Sequence, residues 1–301
     1  MRVTLPRRAW MFLTLAIAAS SAHSQGASRV SIRTDLQSGS APATFQALVH
    51  LQEMGSDGVF ALDEVIDLLD SELKLGRIEV RSVAFFVISQ MGPGASAAVP
   101  HMIRELTSGD PVARQGAVLA LTGISPNVHA AIPALRNALE NDPDVDVRRL
   151  APFALAKLGG DGREALPSLE RALLDPELAV RVAVIVAVVK IGVPSGTVME
   201  RLAAILRKTT NESPNPSAFA GYALHALGLE NSDVSVQELV SILADQAEHA
   251  SEHDARLIAI VTLRELGAQA RAAIPALSRI RTEETGDLES QATDALEAIR
   301  E

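Results

Sequence analysis

The chain contains no cysteine among its 301 residues, so it cannot form a disulfide, a thiolate metal site or a thiol nucleophile. Aromatic residues make up only 3% of it, and the alternating β-branched runs expected of a sheet are missing. The sequence also lacks a glycine-rich phosphate loop, a nucleophile elbow and an acidic cluster with cation-binding spacing. What remains is a chain rich in Ala, Leu and Val, a composition that favours helices and carries no common catalytic signature.

Positive charge is scarce as well. Lys and Arg total 27 against 37 Asp and Glu, a net charge of −10. The balance becomes −13 without residues 1–24, whose only charges are Arg2, Arg7 and Arg8. Affinity for nucleic-acid phosphates comes mostly from Lys and Arg, so we expect no nucleic-acid partner.

Residues 1–24 have the pattern of a secretory signal peptide: a basic start, the apolar run Trp10–Ala19 and a small-x-small cleavage site ending at Ser24. The run has about ten residues, whereas a membrane span needs about twenty. We therefore expect an exported, soluble protein, periplasmic or extracellular, that begins near Gln25 and has no membrane span after signal cleavage. Residues 25–40 show little periodicity and are predicted to be a flexible leader.

From residue 41 to 301 one pattern occurs eight times, most clearly in Val147–Gly160, VRRLAPFALAKLGG. Counted from Arg148, small residues stand at +3 and +6, apolar residues at +7 and +10, and glycine at +11. These offsets lie on one face of a helix that stops at the glycine. A period of 33 to 39 residues is typical of a solenoid, whose core is completed by stacking. The zero positions are Thr44, Arg81, Arg114, Arg148, Arg181, Ser217, Arg256 and Glu289.

A second kind of helix, here called A, alternates with the helices of this pattern, here called B. Four A helices contain a proline that either starts or kinks them: Pro100, Pro133, Pro167 and Pro275. Each Asp-Pro or Asn-Pro pair is predicted to begin a B helix, with the Asp or Asn side chain as its cap: Asp110-Pro111, Asp142-Pro143, Asp175-Pro176 and Asn215-Pro216. The prediction is one all-α solenoid over residues 41–301, with eight B helices and seven intervening A helices.

Three features together resemble the HEAT-repeat family, in particular the short repeats of phycobilisome lyase proteins. They are the internal proline of helix A, the Asp-Pro turn, and the B-helix pattern D-x-x-V-R-x-x-A-x-x-A-L-x-x-L-G at Asp144–Gly159. The resemblance extends over residues 41–301. It implies an α-solenoid of paired antiparallel helices wound as a right-handed superhelix, with B helices lining the concave side. Deoxyhypusine hydroxylase, a HEAT-like enzyme, builds its iron site from His-Glu dipeptides, and this chain contains none. Lyase activity would rest on fold analogy alone, which does not carry function.

The arginines at the zero positions are predicted to be structural. In HEAT-like proteins such residues pair with acidic side chains of adjoining turns, and Asp144, Asp146 and Asp254 lie close by in sequence. A basic binding row is the less favoured interpretation. This structural row comprises Arg81, Arg114, Arg148, Arg181 and Arg256.

Positions +1, +5 and +8 of the B helices point away from the core face and, by the resemblance, line the concave surface. The +5 residue is large and apolar or aromatic in seven of the eight units, and only Asp294 in the last unit is polar. Such a strip usually marks an interaction site, unless curvature closes the groove and packs these residues on one another. An open groove predicts accessible surface on Phe86, Phe153, Val186 and Tyr222. The candidate binding residues are Phe86, Leu119, Arg149, Phe153, Val186, Tyr222, Val261 and Arg264, with His225 as a further polar anchor.

His249 and His253 are the weak candidates for a metal site, since two histidines four residues apart share a face if the stretch is helical. The two-His zinc signature needs a Glu directly after the first His, and Ala250 stands there, so a solvated connection is favoured. We expect no cofactor.

The leading functional hypothesis is an exported, non-enzymatic scaffold that binds a protein or peptide along the B-helix face. A metal-dependent enzyme or metal-binding protein that uses His249 and His253 is the second hypothesis. The third is a structural spacer or self-assembling element, for which a homo-oligomer remains open.

Overall fold

A computed structural model of the chain describes residues 28–75, 77–192, 195–208 and 216–300, so the predicted signal peptide lies outside the described residues. Within these ranges the chain forms sixteen α-helices, joined by turns and short 3-10 segments, and no strand, which confirms the predicted all-α class. The odd-numbered helices are the A helices: α1 Arg29–Gln37, α3 Leu62–Leu75, α5 Val99–Glu105, α7 Ile132–Asn141, α9 Leu166–Ala172, α11 Gly196–Arg207, α13 Val236–His249 and α15 Ile274–Glu283. The even-numbered helices are the B helices: α2 Ala41–Met54, α4 Ile78–Met91, α6 Pro111–Ile124, α8 Val145–Ala156, α10 Leu178–Ile191, α12 Ser217–Ala226, α14 His253–Leu266 and α16 Asp287–Arg300.

The chain divides into two compact units, residues 1–161 and 162–301. The first contains α1–α8 and the second α9–α16. Within each unit every A helix packs on the B helix that follows it, and successive B helices pack on one another. The sequence predicts a single solenoid domain, whereas the structure has two units. Repeats contact only their neighbours, so an array of them has no central core that would enforce one compact body.

The B helices bury the positions that the repeat pattern assigns to the core. In the copy that begins at Arg148, Ala151, Ala154, Leu155 and Leu158 are all buried. Small residues at two of these four positions allow neighbouring backbones to approach closely. Glycine at +11 then takes a positive φ, which permits the chain to leave the helix; the glycines concerned are Gly55, Gly92, Gly159, Gly192, Gly228 and Gly267.

Proline begins the A helices and does not kink them. Pro100, Pro133, Pro167 and Pro275 stand at the first or second position of α5, α7, α9 and α15, where a missing backbone N–H leaves no bond unmade. Each of these helices follows a 3-10 segment.

The Asp-Pro prediction is correct at one turn and wrong at the next. Asp110 caps α6, its carboxylate accepting a hydrogen bond from the backbone N–H of Val112 at 3.0 Å. Helix α8, however, begins at Val145 with Asp144 as its cap, while Asp142 accepts from the N–H of Asp144 at 2.9 Å. The carboxylate of Asp142 also binds an arginine of the preceding repeat.

The flexible leader predicted over residues 25–40 requires correction, because Arg29–Gln37 is helix α1. Its residues Ile32 and Leu36 are buried, and the guanidinium of Arg33 lies 3.1 Å from the carboxylate of Glu64 on α3. Helix α1 packs on α2 and therefore supplies an A helix ahead of the seven predicted ones. Nine residues are too few for the repeat pattern to be recognised in the sequence.

Among the described residues, one helical run, Ile78–Glu105, is long and apolar enough to cross a membrane, and 56% of its most apolar stretch is buried. This run consists of α4 and α5, joined by the 3-10 segment Gly92–Ala98. The core helices of a helical repeat pass the same test, and packing within the first unit accounts for this one.

Candidate functional site

In the first unit, three successive B helices present a partly accessible apolar residue at +5. Phe86 on α4, Leu119 on α6 and Phe153 on α8 are half-buried, whereas Val49 on α2 is buried. Helices α4, α6 and α8 pack on one another in this order. The three side chains therefore occupy the same position on neighbouring helices.

The second unit repeats the arrangement. Val186 on α10, Tyr222 on α12 and Val261 on α14 are half-buried, and Asp294 on the last helix is exposed. All four residues on which an open groove depends, Phe86, Phe153, Val186 and Tyr222, thus keep accessible surface within their units. Binding along this face stays a prediction.

The polar residues beside these positions have partners within the chain. Arg149 Nη2 lies 2.8 Å from the carboxylate of Asp146, one helical turn away. His225 Nε2 lies 3.6 Å from the carboxylate of Glu265, and Arg264 Nη1 donates to the side-chain oxygen of Gln291 at 3.2 Å. These polar side chains are therefore engaged within the chain, beside the apolar +5 residues.

Two arginines of the zero-position row form buried ion pairs with the following repeat. Arg81, only 2% exposed, donates to the carboxylate of Asp110 at 2.7 Å and to that of Glu105 at 3.2 Å. Arg114 binds both carboxylate oxygens of Asp142, at 2.7 and 2.9 Å. Its hydrogen bonds to Asp142 raise the pKa of Arg114 above its ordinary value, although burial opposes the shift.

The other three arginines bind backbone carbonyls that precede their own helix. Arg148 donates to the carbonyl of Asp142 at 2.9 Å, and Arg181 to that of Asp175 at 2.7 Å. Arg256 donates to the carbonyl of Ala247 at 2.9 Å, and it also lies 2.9 Å from the Glu284 carboxylate of the next repeat. All five arginines thus hold turns together. Of the aspartates named from the sequence, Asp144 caps α8, Asp146 lies in the first turn of α8, and Asp254 lies in the first turn of α14.

The structure separates the two candidate metal ligands of the sequence. His249 is the last residue of α13 and His253 the first of α14, with extended backbone at Ala250 between them. The shared helical face that the hypothesis required is therefore absent. Both imidazoles are exposed, and His249 Nδ1 lies 3.1 Å from the carboxylate of Asp245.

A different group, not found by sequence reasoning, brings three potential metal ligands together. Asp70 on α3 and His101 and Glu105 on α5 place one ligand atom each within 4.8 Å of one another. His101, followed by the charge of Arg81, lowers the pKa of Glu105, although burial opposes the shift. The spacing of His101 and Glu105, four residues apart on one helix, was the available signal. Asp70 comes from the preceding repeat, and no local pattern connects it to them.

Comparison with known proteins agrees with this architecture. A family model described as HEAT repeats matches residues 132–218. The crystal structure of YibA from Escherichia coli is similar at 13% sequence identity and a TM-score of 0.54, covering 99% of this chain and 99% of that one. Two engineered proteins are similar at 18% and 17% identity, with TM-scores of 0.44 and 0.40, covering 90% and 79% of this chain and 78% and 96% of theirs. No curated protein matches the sequence.

The helix pairs, the glycine stops and the arginines that tie successive turns define a helical-repeat protein, and at these identities the structural likeness shows the fold alone. Residues 132–218 match the family model of HEAT repeats. The resemblance inferred from Asp144–Gly159, which lies inside that stretch, is confirmed.

Proposed function

We propose that this chain is a non-enzymatic scaffold that binds a protein or peptide partner along the B-helix face. The observation that carries the proposal is the half-buried state of the apolar +5 residues on successive B helices of each unit: Phe86, Leu119 and Phe153 in the first, Val186, Tyr222 and Val261 in the second. A helix position that serves neither the core nor a partner is normally polar. A row of accessible apolar side chains is instead typical of an interaction surface.

The chemistry of the face indicates what such a partner would offer. Aromatic and branched side chains present apolar contact area with few free charges, so a segment with apolar side chains at regular intervals is complementary to it. The net charge of −10 disfavours strongly acidic partners, because like charges across an interface are repulsive.

Selection of peptides from a displayed random library against the purified chain tests the proposal. Phe153→Asp in the first unit and Tyr222→Asp in the second are expected to weaken the selected peptides at least about tenfold, since each places a charge in the apolar contact. Val30→Asp and Leu174→Asp are the matched controls, because both residues are exposed and apolar but lie outside the B helices. They are expected to leave the affinity within about twofold, the range of a contact outside the interface.

Circular dichroism of all four variants establishes that the helices remain folded. If no peptide can be selected, or if the control variants weaken binding as much as Phe153→Asp and Tyr222→Asp, the B face is not the binding surface.

The proposal includes export, which rests on the basic start, the short apolar run and the small-x-small site of residues 1–24. Expression of the whole chain with cell fractionation and N-terminal sequencing tests it. Protein recovered outside the cytoplasm with an N-terminus near Gln25 is expected. Full-length chain retained in the cytoplasm contradicts this part of the proposal.

A further inference from the structure

We propose that Asp70, His101 and Glu105 bind a zinc ion that ties helix α3 to helix α5. His101 is 4% exposed, and its Nε2 is buried without a hydrogen-bond partner. This atom lies 3.5 Å from Glu105 Oε1 and 3.8 Å from Asp70 Oδ1. The two carboxylates face this buried nitrogen from different helices, so a cation placed between them would bond to all three groups and replace the ring proton that Nε2 carries.

The distances fit zinc. With bonds of about 2.0–2.2 Å, a tetrahedral zinc ion places its ligand atoms roughly 3.3–3.5 Å apart. The two distances from His101 Nε2 are within a few tenths of an ångström of that spacing, and all three ligand atoms lie within 4.8 Å of one another. The side chain of Asp70 is 57% exposed, so it is free to close the remaining gap. A water molecule would complete the tetrahedron.

Glu105 is held in position for this role by a residue that is not itself a ligand. Arg81 Nη2 donates to Glu105 Oε2 at 3.2 Å, which leaves Oε1 directed at His101. Arg81 is in turn fixed by Asp110 at 2.7 Å. A ligand oriented by such a partner loses little conformational freedom when a metal binds.

The donor set selects the kind of metal. One imidazole and two carboxylates suit zinc, whereas magnesium and calcium prefer oxygen ligands alone. The site lies on the A helices of the first unit, so it is independent of the proposed B-face function, and it joins two successive repeats.

Arg104 opposes metal binding in the structure as it stands. Its Nη2 lies 2.7 Å from His101 Nδ1, and because a guanidinium can only donate, Nδ1 is the acceptor and the proton of the ring sits on Nε2. A neutral imidazole that binds zinc through Nε2 carries its proton on Nδ1. Zinc binding therefore requires the exposed Arg104 side chain to move away from the ring.

Isothermal titration of the whole chain with zinc chloride, on protein without a histidine tag, tests the proposal, with metal content measured after dialysis. We expect one zinc per chain at this site and no competition from magnesium. Asp70→Asn keeps the shape of an exposed side chain and is expected to weaken zinc at least about tenfold, as is His101→Gln. Asp67→Asn, an exposed acid on the same helix, is the matched control and should bind zinc like the unaltered chain.

Two further variants sharpen the result. Arg104→Gln is expected to tighten zinc binding, because it removes the competitor for Nδ1. His249→Ala combined with His253→Ala is expected to leave the site unchanged. The proposal is overturned if the chain binds no zinc, if Asp70→Asn binds zinc as tightly as the unaltered chain, or if binding is lost only with His249 and His253.

Discussion

Arg114 on α6 and Asp142 in the turn before α8 form a bidentate ion pair across 28 residues of sequence. Both residues are 8% exposed, and Arg114 also donates to the carbonyl of Ser108 at 2.9 Å. The planar guanidinium matches the two carboxylate oxygens, so the pair fixes both the distance and the orientation of neighbouring turns. One side chain thereby links two successive repeats of the first unit.

Removal of either partner leaves a buried charge without its counterion. Arg114→Ala is therefore expected to lower the free energy of unfolding by about 3–5 kcal/mol, measured by urea denaturation followed by circular dichroism. Arg114→Lys keeps the charge but loses the second parallel hydrogen bond, and an intermediate loss is expected.

A double-mutant cycle isolates the pair. Arg114→Met combined with Asp142→Leu should cost less than the sum of the single losses, because no unpaired charge remains. Arg163→Ala, at an exposed arginine, is the control and should change stability by less than about 0.5 kcal/mol. Additive losses from the two partners would contradict a direct coupling.

Gly123 allows α6 to approach α4. A Cβ atom added to it would lie 2.1 Å from the backbone oxygen of Ser89, so the two helices would have to separate. Gly123→Ala is expected to lower the unfolding free energy by about 1–3 kcal/mol or more, the cost of overpacking against backbone that cannot rotate away.

Gly160→Ala is the matched control for this prediction, since its added Cβ meets nothing within 4 Å. That variant should be neutral or slightly stabilising, because alanine reduces the entropy of the unfolded chain. Thermal unfolding of the two variants side by side measures the difference. Equal melting temperatures would show that the approach of α4 and α6 does not depend on the missing side chain.

Arg207 ties α11 to the start of α13 in the second unit through Asp233 at 2.9 Å and Glu238 at 2.7 Å. Its hydrogen bonds lower the pKa of both carboxyl groups, although desolvation opposes the shift. A lowered carboxyl pKa stabilises the fold above the unfolded values of about 3.9 for Asp and 4.3 for Glu. This contribution is lost as the pH falls through the lower pKa of the folded state.

Carboxyl-carbon NMR titration of Glu238 checks the direction of this shift. We expect Glu238 to titrate below about 4.3 in the unaltered chain and closer to that value in Arg207→Gln. Arg201→Gln changes an arginine of the same helix and should leave the titration of Glu238 as it was. A Glu238 pKa that does not respond to loss of Arg207 contradicts the assignment.

Gly92 ends α4 with a φ of 68°, and an added Cβ there would meet nothing within 4 Å. Its ψ of −153° lies outside the left-handed helical region, in a conformation that is essentially restricted to glycine, so replacement by alanine should cost a backbone penalty of about 1–3 kcal/mol. Gly92→Asn is expected to cost about as much, because asparagine tolerates a positive φ mainly in the left-handed helical region. Chemical denaturation of the two variants measures both costs, and a much smaller loss for Gly92→Asn would contradict this explanation.

The sequence by itself determined those features of the protein that depend on interactions within one or two helical turns. The repeat period predicted all eight B helices and seven of the A helices, all except α1. Glycine at +11 ended B helices because its freedom in φ acts on the local backbone. The sequence left open whether proline starts or kinks the A helices. The core positions followed from the helical period alone, as the burial of Ala151 and Leu155 shows.

Contacts between residues of different repeats were decided only by the tertiary structure. Asp142 binds Arg114 of the preceding repeat, and Asp144 caps α8. Asp70 meets His101 and Glu105 across the gap between repeats. Such contacts depend on how repeats stack, which local spacing does not encode. For the same reason the sequence left two alternatives for the +5 side chains, an open groove or one closed by curvature. Their partial exposure, on which we base the proposed binding face, was shown only by the structure.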